Sequence, residues 1–227
     1  MTEQIILFDA STLISFSMAG LLTELRGLRK IFKGKFIISQ KVKEEAIDRP
    51  MTIPRFQLEA LKLKSLLDDK ILELPVSIGL DDKIIRAKAK EIMDKANTSF
   101  HGAGKDIHLI ELGEASVLAI SKILNEKKIK NVVAVDERTT RSLSETPQEL
   151  RKYLEQKLHT KIEVKQEKVD FFKEFKFIRS TELIFVAHKK GILRLKGTEN
   201  LSAVLYALKY KGCAISGSEV QEMKKLG

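Results

Sequence analysis

The chain has 227 residues, 43% of them hydrophobic with only 12 Gly and 4 Pro, which is enough to bury a full core and somewhat long for one ordinary domain. Its one cysteine, Cys213, excludes an internal disulfide and any multi-thiolate zinc site, so chemistry has to rest on oxygen and nitrogen groups. No stretch approaches the roughly 18 uninterrupted apolar residues of a membrane span, and residues 1–9 carry no basic region ahead of their apolar run; a cytoplasmic protein with no membrane partner is expected. The formal net charge of +10 invites a polyanionic partner, and it is unevenly spread: residues 151–227 hold 17 Lys and Arg against 9 Asp and Glu. A solvated, lysine-rich surface is the other reading of the same charge.

In chain order, Gln4 to Phe8 is a short continuous apolar run closed by Asp9, the pattern of a buried parallel strand. Residues 35–39 (KFIIS) and 71–75 (ILELP) are further strand candidates, with helical patterns at about 40–48, 54–69 and 80–97. Residues 113–127 follow a helical period with Val117, Leu118, Ile120 and Leu124 facing inward. Asn131 to Val135, closed by Asp136, repeats the design of the first strand. The run Thr146-Pro147-Gln148-Glu149 reads as a capping box opening a helix to about His159, and 160–164 as another strand. Residues 180–190 and 200–211 are helical, and Ser216-Gly217-Ser218-Glu219 is a capping box opening a last helix. Gly191 and Gly212 suit positions just past helix ends. Alternating strands and helices imply an α/β fold with helices on both faces of a parallel sheet. The expected division is a main domain over residues 1–179 and a small basic helical extension over 180–227.

Asp9 and Asp136 each terminate a strand, and ligands of open α/β sheets bind at the carboxyl ends of such strands. A single strand-terminal Asp is more often a helix cap, so the pair needs further acids to make a site. Glu45 lies three residues from Val42 and beside Ala46, at the edge of a buried face, whereas Glu44 falls farther toward solvent. Glu114 has the same character, with Val117 and Leu118 three and four residues on. Four carboxylates in one crevice would raise one another's pKa and be tolerable chiefly beside a cation; an all-oxygen ligand set suits Mg²⁺ or Mn²⁺.

The string Ile6-Leu7-Phe8-Asp9-Ala10-Ser11-Thr12-Leu13-Ile14 resembles the opening of a PIN domain. Val42-Lys43-Glu44-Glu45 resembles that family's second acidic element, Gly113-Glu114-Ala115-Ser116 its third, and Val135-Asp136-Glu137-Arg138 its fourth; order and spacing agree over about residues 4–142. The resemblance implies a three-layer, Rossmann-like PIN fold and a metal-dependent ribonuclease site of Asp9, Glu45, Glu114 and Asp136. Asp9, Glu114 and Asp136 would be direct ligands, Glu45 would act through water, and Ser11 would be an auxiliary group. The second acidic element could be assigned to Glu44 instead. The tail from Ser180 to Leu226, with Ala187-His188-Lys189-Lys190-Gly191 and Tyr210-Lys211-Gly212-Cys213, is similar to the C-terminal part of some prokaryotic PIN-like proteins. The family also raises the expectation of a homodimer.

Arg138 and Arg141 follow the fourth acid and are candidates for substrate phosphate or for salt bridges to the acids. Lys189, Lys190, Arg194 and Lys196 form the densest basic cluster of the tail; with Tyr206 and Tyr210 they are candidates to track an RNA backbone and stack a base, although the tyrosines read slightly better as core. The expected function is an endoribonuclease acting on single-stranded or unpaired RNA. The alternative is a PIN-fold RNA-binding or assembly factor with weak or lost activity. A phosphatase using a strand-terminal Asp is remote, because Asp9-Ala10-Ser11 lacks a second Asp two residues on.

Overall fold

The computed structural model describes residues 4–194 and 197–227. The chain opens with β1 (Gln4–Phe8), α1 (Ala10–Met18), α2 (Leu22–Ile31) and β2 (Gly34–Ile37). Helix α3 (Gln40–Lys43), a π-helical turn (Glu44–Asp48) and α4 (Arg49–Met51) then run on without a break. α5 (Gln57–Asp68) and α6 (Asp82–Asn97) lead to a hairpin of β3 (Phe100–Gly102) and β4 (Lys105–Asp106). After α7 (Leu112–Glu126) come β5 (Asn131–Ala134), α8 (Arg138–Glu145), α9 (Pro147–Leu158), β6 (Ile162–Val164) and α10 (Gln166–Asp170). The chain ends with β7 (Phe177–Ile178), α11 (Ser180–Lys189), α12 (Thr198–Tyr210) and α13 (Gly217–Leu226).

The main sheet is parallel and four-stranded, in the order β2-β1-β5-β7. In β1, Ile5 and Leu7 point to one face and Ile6 and Phe8 to the other, and all four are buried, so the sheet is covered on both sides as its all-apolar strands require. The chain steps from β1 to β2 on one side and returns to β5 on the other. The carboxyl ends of β1 and β5 therefore flank the point where strand order reverses, the place where such sheets leave a crevice.

Several elements differ from the sequence expectation. The ILELP run contributes one bridge, Glu73 to Ile37, rather than a strand; Pro75 follows at once and opens a 3-10 turn. Residues 162–164 do pair, but in a separate antiparallel sheet of order β4-β3-β6. The turn of its hairpin is Ala103-Gly104, both at positive φ (51° and 77°), the geometry a two-residue hairpin loop demands. Thr146 precedes α9, with Pro147 in its first turn, but makes no side-chain cap; Glu149 pairs with Lys152 instead. The box at Ser216 and Glu219 forms as read.

Residues 180–227 share the core of the rest. Leu183, Ile184, Ala187, Leu201, Leu205 and Leu208 belong to the same hydrophobic cluster as the strands, and α11 packs on α1 and α2. Arg179 fastens the start of α11 to the last helix, donating to Glu182 and Glu219 and to the Ala214 carbonyl. Burial works to raise the Glu219 pKa, but the Ser216 N–H and the Arg179 guanidinium outweigh it and hold it at about 2. Among the described residues no helix is long and apolar enough to cross a membrane.

Candidate functional site

Asp9 leaves β1 as the N-cap of α1; its Oδ2 accepts from the Ser11 N–H at 3.0 Å and the Ser11 hydroxyl at 2.6 Å. The same Ser11 oxygen accepts from the Asp136 N–H at 3.2 Å, so one hydroxyl clasps the turns after β1 and β5 together. Asp9 is 4% exposed. Burial raises its pKa, with the Glu137 charge adding and the hydrogen bonds from Ser11 and Ala10 opposing.

Glu114 arrives from the first turn of α7, where its Oε2 accepts from the Glu111 N–H at 2.7 Å and its Oε1 from the Thr140 hydroxyl of α8 at 3.0 Å. Burial, then the Asp9 charge, push its pKa up to about 7, with Glu137 adding and both hydrogen bonds pulling down.

Glu45 sits in the π-helical turn, a distortion that re-aims side chains and recurs at functional sites. Its carboxylate lies against Gly113, where a β-carbon would collide with it. Burial and then the Asp9 charge raise its pKa, against Lys41 and Arg49. Glu44 instead pairs with Lys41 at 3.3 Å and lines a separate small cavity with Asp82 and Arg86. Of the two alternatives for the second acid, Glu45 is the one that feels the Asp9 charge.

Asp136 is fully buried and turns one carboxylate oxygen to the start of α11. Its Oδ1 accepts from the Ser180 N–H at 2.8 Å, at the start of α11, and its carbonyl accepts from Ala214 at 3.0 Å. Its Oδ2 has no partner in the described structure, and its charge, second to burial, raises the Cys213 thiol to about 11. From this turn it is Glu137, the N-cap of α8, whose charge adds to the raised pKa of both Asp9 and Glu114. Position along the strand does not single out Glu137, because its neighbour occupies the strand-terminal place; the adjacent Asp-Glu pair is the available signal.

The basic candidates do not converge on the acids. Arg138 is exposed and lies over the Tyr153 ring, while Arg141 bonds the Ala214 carbonyl at 3.2 Å and faces Glu145 at 3.7 Å. Both line a cleft of about 880 Å³ with Arg179, Glu182 and Glu219, to which none of the four expected acids contributes. Lys189 and Lys190 stand at the far end of α11 from Asp136, roughly 14 Å along the helix. Lys189 bonds the Gly227 carbonyl and Arg194 bonds Thr23; Lys196 lies outside the described residues.

Asp9, Glu45 and Glu114 thus come from three elements into reach of one another's charge, with Glu137 acting on Asp9 and Glu114. Among the described residues no three acidic, histidine or cysteine side chains are gathered as tightly as a bound metal ion would hold them. The donor set nonetheless fits a hard divalent cation: it is all oxygen, and burial with mutual repulsion penalises its ionised form, a penalty that a cation relieves.

The close approach of Glu45 to Gly113 sets a test of this geometry. Gly113→Ala would ordinarily strengthen α7 by up to about 1 kcal/mol. Here the methyl meets the end of a flexible side chain, which swings away. Thermal melts should show the variant at least as stable as wild type without metal and weakened in its response to Mn²⁺; an undiminished response would remove Glu45 from the site.

No protein-family model, no curated protein and no solved structure matches this chain.

Proposed function

We propose that this chain is a PIN-type nuclease domain, a divalent-metal-dependent endoribonuclease acting on single-stranded or unpaired RNA. The observation that carries this reading is the convergence of Asp9, Glu45 and Glu114 at the carboxyl end of the sheet, with the Asp9 charge raising the pKa of the other two. Capping α1 takes one carboxylate; aiming two more at it adds only repulsion unless a cation is to be held.

Asp9, Glu114 and Glu45 would hold Mg²⁺ or Mn²⁺, with Glu137 beside them. A divalent cation there would supply an activated water and neutralise charge on a phosphodiester in an in-line displacement. The chain's own residues prepare the site. Ser11 orients Asp9 and locks the two turns together, and Thr140 with the Glu111 N–H fixes Glu114. Gly113 leaves room for Glu45. Asp136 takes a supporting part, anchoring α11 and the turn that presents Glu137.

Mn²⁺ or Mg²⁺ should support cleavage of an unstructured RNA, and Asp9→Asn should reduce it at least about a hundred-fold. Activity that persists in EDTA, or in that variant, would end the metal-nuclease reading. One observation favours the alternative of a PIN-fold RNA-binding factor without activity: both Glu114 oxygens and one Asp136 oxygen already accept hydrogen bonds within the protein. That reading predicts RNA binding with no metal-dependent cleavage.

A further inference from the structure

Helix α1 begins at the acidic crevice, and one stripe of it is left uncovered. Ser15 is turned to the segment after α12, its hydroxyl donating to the Lys211 carbonyl at 3.4 Å; Ser17 is turned to α5, donating to the Glu59 carbonyl at 3.3 Å. At 100° per residue, Ser11, Ile14 and Met18 fall together between those two directions. Ser11 is half-buried, while Ile14 and Met18 are 36% and 46% exposed. The stripe runs roughly 13 Å from Asp9 to Met18 as a floor between two walls.

Both walls carry the groups that single strands use. On one, Tyr210 is 79% exposed and its ring stacks on Tyr206 at 6.3 Å between centroids and 22° between planes; the Gln221 amide donates to the Tyr206 hydroxyl, which steadies the inner ring. Lys209 and Lys211 flank Tyr210. On the other, Phe56 is 42% exposed with the Arg55 guanidinium over its ring, and Arg49 lies close enough to Glu45 to lower its pKa. Arg49, Arg55, Lys209 and Lys211 form no ion pair among the described residues, so their charge is open to a partner.

We propose that the Ser11–Ile14–Met18 stripe of α1, walled by Tyr210–Lys211 and Arg55–Phe56, is the track along which a single-stranded nucleic acid enters the acidic crevice. Cations unpaired within the chain take up phosphate charge, exposed rings and an apolar floor accept unpaired bases, and the track ends at Asp9. Four cations flanking exposed rings match the repeating phosphates and bases of a single strand, whereas a protein partner would need a matching run of acids. This inference rests on the nuclease reading for its direction, and its test separates the two.

A short fluorescein-labelled oligouridylate, titrated in EDTA so that it stays intact, should bind more tightly than a matched duplex. Tyr210→Ala should weaken that binding about ten-fold, as loss of one stacking platform does. Lys211→Ala with Arg55→Ala should flatten the salt dependence by roughly 0.7 for each phosphate no longer neutralised. Met18→Glu should weaken binding as well. None of these variants removes a carboxylate from the crevice, so each should keep the full thermal response to Mn²⁺. Unaltered oligonucleotide binding in Tyr210→Ala and Met18→Glu would overturn the track while leaving the metal site standing. A wild-type dimer that Met18→Glu dissociates, with binding intact, would make the stripe a subunit interface and overturn the proposal. Loss of binding in these variants with no response of any form to Mn²⁺ would uphold the track and end the metal reading.

Discussion

Mn²⁺ at a hundred times its dissociation constant should raise the melting temperature of the wild-type protein by roughly 5–10 °C, the effect of about 2.7 kcal/mol on a chain of this size. The reason is stored repulsion. Asp9, Glu45 and Glu114 are buried to differing degrees, and the Asp9 charge bears on the other two. Asp9→Asn should behave oppositely in the two states. The Asn side chain still accepts from the Ser11 N–H, so the cap of α1 survives, and without metal one repelling charge is gone. The metal-free variant should therefore match or exceed wild type, yet respond little to Mn²⁺. That crossover separates the reading from its rival. If Asp9 were only a helix cap, metal would move the melting of both proteins equally, and the site would have to be abandoned.

The parts of this site that could be read in the sequence are those in which a residue's position along one element determines its surroundings. Asp9 closes an apolar strand, and Glu114 and Glu45 interrupt apolar helical faces; each of these anomalies corresponds to a carboxylate whose pKa burial raises, with the Asp9 charge adding to the other two. Asp136 obeyed the same rule of position, but the rule fixes only where its backbone stands. The direction of its carboxylate was decided by α11, whose first N–H lies 44 residues away in sequence and was available as a partner. Once Asp136 had turned to Ser180, the next residue along presented its charge to Asp9. Likewise β7 has two residues, too few for a period to appear, and α8 is so polar (RTTRSLSE) that its inward side is reduced to Thr140, Ser142 and Leu143. The division at residue 180 followed a change of pattern from mixed to helical, whereas the core is continuous across it.

The placement of Asp136 also bears on how the turn after β5 is held. Its N–H meets Ser11, its carboxylate meets Ser180, and its carbonyl meets Ala214, so four distant stretches of chain are tied at one buried residue. A residue tied at its N–H, its carbonyl and one carboxylate oxygen is suited to holding its neighbours in place. If the acids are to hold a cation, such a support keeps like charges close in its absence.

The protonation of Glu114 makes that cost measurable. Its pKa is raised from 4.5 to about 7, first by burial and then by Asp9. A carboxyl raised on folding contributes stability that is fully present below pH 4.5 and is lost as pH rises through about 7, so the metal-free protein should weaken across that window by at most about 3 kcal/mol from this group. Asp9 and Glu45 are raised as well and act in the same sense. A cation requires the ionised form, so binding displaces the proton. The apparent Mn²⁺ affinity should therefore climb about ten-fold per pH unit below 7 if one proton is displaced, more steeply if Asp9 or Glu45 contributes, and level off above it. Glu114→Gln keeps the capping bond to the Glu111 N–H, and the Thr140 hydroxyl can turn to accept from the new amide. The variant should therefore be more stable than wild type above pH 7 without metal and should bind Mn²⁺ weakly, with a shallower dependence on pH. Melting curves from pH 5 to 8, with and without Mn²⁺, measure both effects. If wild-type affinity does not change with pH across that range, Glu114 is neither a ligand nor a neighbour of one, and its burial serves only the joint between α7 and α8.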